Sequence, residues 1–302
     1  MKVIPSLDIG AAQLLSSSVP DVASTEIAWV SGANYVIGDV RIRVSTGRKY
    51  ERFVAGAGTL PPEDDLVNWK DAGPTNKRAM FDLYRNSQTI ASSPLTVVIA
   101  PGKRIDALAL TGMALVTSVS ITVRVAGVTV YSRVENLSDR MTLSWSDFYR
   151  GEFSTKPSLI LFDLPPFTGA QMTITLTGPG ATVKCGACVV GTAVDIGDVE
   201  YGAEGDSLNF SLVDRDKFGN ATLVPRRSVP KTSQTLIVKK SRINKIREVK
   251  QSLDAVPAVW AGLVDAEDGY FEMLLIVGIW KKFSINARHP TEARVSLELE
   301  EI

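Results

Sequence analysis

Short runs in which apolar and polar residues alternate one by one constrain this chain more than any other feature. Ser120-Ile121-Thr122-Val123-Arg124-Val125, Met172-Thr173-Ile174-Thr175-Leu176-Thr177 and Ala293-Arg294-Val295-Ser296-Leu297-Glu298-Leu299-Glu300 all keep a period of two. Side chains of a strand point to opposite faces in turn, so these runs read as half-buried strands. Ala126-Gly127 between Val125 and Val128 marks a tight hairpin, and Gly178-Pro179-Gly180 breaks the second run. Further strand-like runs fall at 95–99, 105–110, 128–133, 158–162 and 181–190. Short strands at this spacing predict a jelly-roll-like β-sandwich over residues 73–195.

The fold class expected is therefore mainly β, and 302 residues suit two or three domains. Residues 1–26 read as an N-terminal arm or edge strand followed by a linker, and 27–72 as a small aromatic-rich β module. Residues 196–302 read as a C-terminal mixed domain with one helix. That helix is expected from Arg242 to Leu253, capped by Ser241, with Ile243, Ile246, Val249 and Leu253 on one face. Its basic residues, Arg242, Lys245, Arg247 and Lys250, read as a solvated face or as a seam against an acidic neighbour. Strands are expected at 235–239, 271–279, 283–287 and 293–299. The ring-rich run Ser144 to Arg150 reads as a loop or short helix whose rings fill the core of a sheet.

Composition narrows the function classes. Lys plus Arg and Asp plus Glu both number 33, so the chain lacks the basic excess of a nucleic-acid binder. No apolar run is long enough to span a membrane, and the start, broken by Pro5 and Asp8, has no signal-peptide pattern. Cys185 and Cys188 form a C-x-x-C, but His289 is the single histidine, so a four-ligand zinc site is not expected. The pair reads as small buried apolar residues on a strand with a glycine kink. Glu63-Asp64-Asp65 reads as a solvated loop. The carboxylates Asp195, Asp198, Glu200, Glu204 and Asp206 do not by themselves specify a glycosidase pair. No catalytic residue, metal or cofactor is expected.

Residues 27–72 carry five aromatics among turn-forming residues. Trp29, Tyr35, Tyr50 and Trp69 are the candidate carbohydrate-binding residues, because the apolar C–H face of a pyranose stacks on an open ring. The competing reading makes Trp29 and Trp69 the small core of the module. The order Ala28-Trp29, Tyr35-x-x-Gly38-Asp39-Val40, Tyr50, Gly58, Pro61-Pro62 and Trp69 resembles the small chitin-binding type of carbohydrate-binding module. The valine follows Asp39 directly, which departs from that pattern. With Gly73-Pro74-Thr75-Asn76 and Phe81-Asp82 next, and a β-sandwich after them, the arrangement is similar to tail or baseplate proteins of tailed bacteriophages. Pro257-Ala258-Val259-Trp260, Gly278-Ile279-Trp280 and the last seven residues look like the same proteins.

That resemblance implies a structural part made in the host cytoplasm and carried in the virion tail. Its partners would be other tail or baseplate proteins, further copies in a ring or trimer, and a host-surface glycan. Nucleic acid and membrane insertion are not expected. The alternative is a free polysaccharide-binding protein or an accessory part of a glycoside hydrolase.

Overall fold

A computed structural model describes residues 1–84, 87–139, 144–151, 154–287 and 289–302. It is mainly β, as the alternating runs predict. Leu95–Ile99, Ser118–Val125 and Ala170–Thr177 lie together in a five-stranded antiparallel sheet, with Val128–Asn136 at one edge and Leu14–Ser17 at the other. Ile121 pairs with Ile174, and Ile174 with Val97. These residues share one buried face with Val119, Val123, Met172 and Leu176. The predicted hairpin forms at Ala126-Gly127, where both residues have positive φ (48° and 82°). Two such residues make the turn whose twist matches paired strands.

A three-stranded sheet, Leu159–Leu161, Ala107–Thr111 and Ala187–Gly191, forms the layer beneath. Its strands are buried throughout, because both faces are covered. Parity sorts the side chains. Leu108, Leu110, Leu159, Leu161, Cys188 and Val190 face the five-stranded sheet. Ala107, Ala109, Ile160, Ala187 and Val189 face the other way. The run expected as one strand at 181–190 is two, Thr182–Cys185 and Ala187–Gly191, turned at Gly186. Cys185 and Cys188 are both buried and unbridged.

The next layer is an eight-stranded antiparallel sheet built mainly from the C-terminal third. Ile4, Val259, Ala261, Leu275 and Val277 meet the small residues of the middle sheet. Val3, Ala258, Trp260, Ile276, Leu236, Val295, Leu297 and Leu299 point to the opposite face. The helix Ile243–Ser252 closes that face through Ile246, Val249 and, just past its end, Leu253. Ile243 is only partly covered. Ser241 does not cap this helix, because a 3-10 turn over Lys240–Arg242 precedes it and Arg242 makes no capping bond. Two basic side chains are tied down: Arg242 pairs with Asp195, and Lys250 donates to the Phe283 carbonyl at 2.6 Å.

Two further expectations are corrected. The N-terminus is not an arm or an edge. Lys2–Pro5 lies inside the eight-stranded sheet, paired with Ala258–Ala261 on one side and Val194–Asp195 on the other. Val3 and Ile4 alternate between two cores, so both are buried because both faces of this sheet are covered. Leu14–Ser17, by contrast, does take an edge, on Leu95–Ile99. The strands expected at 271–279 and 283–287 are one, Leu275–Asn286. Between Trp280 and Lys282 the register shifts by a bulge. The extra residue changes parity, so Ile276 before it and Phe283 after it reach the same core.

The middle sheet sits close to the N-terminal strand. A Cβ on Gly191 would lie 2.3 Å from the Pro5 carbonyl oxygen and 2.9 Å from Cγ2 of Ile4. Gly191→Ala should therefore cost ~1–3 kcal/mol of stability in urea denaturation. Gly169→Ala, where an added Cβ meets no atom within 4 Å, should change stability little.

Candidate functional site

The aromatic module is held by two small sheets. Val40–Arg43, Arg48–Arg52 and Trp69–Pro74 form one, and Ala33–Tyr35 pairs with Gly56–Gly58 in the other. Between them Tyr35, Tyr50 and Trp69 are only 4%, 4% and 1% exposed. Tyr35 meets Trp69 edge-on with ring centroids 4.9 Å apart. Its hydroxyl donates to the Val30 carbonyl at 2.7 Å and accepts from the Val30 amide at 2.8 Å. Gly58 permits this packing, since a Cβ there would lie 2.8 Å from the Tyr35 ring. Trp29 is half-buried against the same cluster.

Guanidinium groups cover these rings. Arg52 lies 5.0 Å from the Trp69 centroid, Arg41 5.4 Å from Tyr35 and Arg43 4.8 Å from Trp29. Such contacts are electrostatic attractions to the ring face, strongest where water is excluded. Arg52 is itself buried, 3.6 Å from the Asp65 carboxylate, which also accepts from Asn68 at 2.8 and 2.9 Å. Arg43 grips Glu63 with three hydrogen bonds of 2.8 to 3.1 Å. Against the desolvation of partial burial, these bonds hold the Glu63 carboxyl below its ordinary value. The acidic run at 63–65 is thus not simply a solvated loop: Glu63 and Asp65 anchor the arginines that roof the rings.

A sugar needs an open ring face, and Tyr35, Tyr50 and Trp69 have none. A segment this small, without a disulfide, uses its largest side chains as its core. Of these four candidates Trp29 keeps accessible surface, with Arg43 over its ring, and the fifth ring of the module, Phe53, is 45% exposed. The Gly73-to-Asn76 motif is a joint between module and sandwich. Gly73 has a φ of 103°. The Thr75 amide donates to the Gly47 carbonyl at 2.9 Å. The Asn76 side chain both donates to and accepts from the Ile90 backbone at 2.8 Å. Phe81 packs on the sandwich core, and Asp82 accepts from Ser87.

The open aromatic surface lies elsewhere. The ring-rich run forms a helix, Trp145–Arg150, with no buried residue, which corrects its reading as core filler. Trp145, Phe148 and Tyr149 are 79%, 50% and 75% exposed. Period-two patterning had no bearing on this run, and its ring density was the available signal. Tyr201 and Tyr270, both exposed, border a cleft with Glu200, Asp268 and Met273.

Among the described residues, no group of three or more His, Cys, Asp or Glu is placed to hold a metal. Asp195 is engaged by Arg242 and Glu200 by Arg294. His289 is exposed beside Pro290. No helix among the described residues is long and apolar enough to cross a membrane.

Two outcomes follow from the buried groups. Arg52→Ala should destabilise the module by ~3 kcal/mol, because it uncovers Trp69 and leaves Asp65 without its buried cation; tryptophan fluorescence in a urea titration measures this. Burial pushes the Cys185 thiol up to about 12 and the Cys188 thiol well above its ordinary value. A thiol reagent at pH 8 should thus leave both unmodified in the folded protein and react with both after denaturation.

No protein-family model matches this chain, and no curated protein matches it significantly.

Proposed function

We propose that this chain is a structural component of a bacteriophage tail or baseplate that assembles with copies of itself and meets the host surface through a glycan. The observation that carries the assembly half is a hairpin, Leu212–Arg215 with Ala221–Val224. Its strands pair with each other and with no other strand among the described residues. Every residue of both strands is exposed. Phe210, Leu212, Val213, Phe218, Leu223 and Val224 give it apolar side chains. An isolated two-stranded hairpin is marginally stable in water, and clustered exposed apolar groups mark contact surfaces. A neighbouring subunit supplies the cover that the chain itself does not.

The layered core suits this role, since rigid stacked sheets hold such a projection at a fixed place. The order of Trp29, Tyr35, Gly38-Asp39 and Trp69 before Gly73-Pro74-Thr75-Asn76 supports the tail reading through resemblance. The chain would then be made in the host cytoplasm and end in the virion. A closed ring or a trimer buries one copy's hairpin on the next.

The turn of the hairpin is pinned by one carboxylate. Asp216 Oδ1 accepts from the Phe218 and Asn220 amides at 2.9 and 2.8 Å, and Oδ2 from the Asn220 side chain at 2.8 Å. The Asn220 side chain and then its amide hold the carboxyl below its ordinary value. A lowered folded pKa stabilises above the unfolded pKa and is lost as pH falls through the folded one. The turn should therefore be ordered at neutral pH and loosen in acid below the usual aspartate range. The Phe218 and Asn220 amide resonances report this, and Asp216→Ala should show the loosened state at neutral pH.

Light scattering on the purified chain tests assembly. The expected mass is that of a ring or trimer, falling to monomer when residues 212–224 are replaced by a short glycine-rich turn. A monomeric parent at high concentration, or absence of this chain from the tail density of purified virions, would sink the reading.

A further inference from the structure

We infer that the helix Trp145–Arg150 is a stacking platform for a surface glycan, a site separate from the aromatic module. This rests on the host-contact half of the reading above and names where that contact is made. Trp145 and Tyr149 stand four residues apart, so they share one face of the helix. Their ring planes differ by 21° in a stacked pair with centroids 6.3 Å apart, and both rings stay more than two-thirds exposed. Phe148 stands edge-on to both, at 76° and 6.2 Å from Trp145 and 89° and 5.2 Å from Tyr149. It braces the near-parallel pair, so little order is gained on binding and little entropy is lost.

The platform is built by local sequence. Ser144 accepts the Asp147 amide at 3.2 Å through its hydroxyl, starting the helix. Gly151 ends it with its amide on the Asp147 carbonyl at 2.8 Å, where a Cβ would lie 2.5 Å from that oxygen. Arg150, in the last turn, is the basic residue of the same helix. Rings for C–H faces and polar groups for hydroxyls are what a carbohydrate surface requires.

A glycan fits better than a lipid surface. The helix has one basic residue and no Leu, Ile or Val, whereas interfacial helices carry basic residues and aliphatic groups to insert. It also fits better here than at the module, where Tyr35, Tyr50 and Trp69 are sealed.

The test uses the full chain on insoluble chitin and on immobilised bacterial lipopolysaccharide. The parent should be retained on at least one of them. The Trp145→Ala/Tyr149→Ala double variant should lose at least tenfold in retention, and Trp145→Phe/Tyr149→Phe should keep most of it. Both variants should keep the parent's circular dichroism and its mass by light scattering, since these rings are exposed. Equal retention by the alanine variant overturns the platform. So does no retention of the parent on either glycan, or ring-dependent binding to phosphatidylcholine and phosphatidylglycerol vesicles in place of glycan. In each of these cases an unchanged oligomer mass leaves the assembly reading standing, so the two failures are distinguishable.

Discussion

The close contact between the middle sheet and the N-terminal strand is the constraint on which the rest of the fold depends. The middle sheet is buried on both faces, and its two faces are chemically different. Leucines and valines fill the space towards the five-stranded sheet, while Ala107, Ala109 and Ala187 leave room for the eight-stranded sheet to approach. Gly191 takes this furthest, with Pro5 where a side chain would stand. Close packing of this kind gains dispersion contacts but tolerates no added volume. Both outer sheets are positioned from this layer, and the helix Ile243–Ser252 then closes the far face.

The module solves a different problem. It has too few residues for an aliphatic core, so three aromatic rings take that place and guanidinium groups close over them. Burying Arg52 is costly unless its charge is matched, and Asp65 and the Trp69 ring share that task. The same residues that resemble a sugar-binding pattern are therefore occupied in holding the module together. Asn76 then fixes the module to the sandwich by standing in for a strand partner of Ile90.

Some of the large apolar groups that the core does not use lie on two locally ordered elements. The hairpin around Asp216 and the helix Trp145–Arg150 both expose large apolar groups, yet each is locally well ordered by a Ser or Asp side chain on backbone amides. These are the surfaces on which the proposed subunit contact and the proposed glycan contact rest.

Much of this was legible in the residue order. Period two marked two strands of the five-stranded sheet, Ser118–Val125 and Ala170–Thr177, and the last strand, Glu292–Glu301, because one-sided burial forces alternation. The Ala126-Gly127 turn and the buried face of the long helix followed from equally local rules. The strand Lys2–Pro5 could not be placed this way, since burial on both sides removes alternation and its partners lie about two hundred residues or more away. Nor could the bulge at Trp280, which shifts parity only because a neighbouring strand sets the register. The rings make the clearest case. Sequence alone determined that residues 27–72 and 144–150 are rich in aromatics. Only the tertiary structure decided that Tyr35, Tyr50 and Trp69 are sealed and that Trp145, Phe148 and Tyr149 are open, because burial depends on what the rest of the chain packs against each ring.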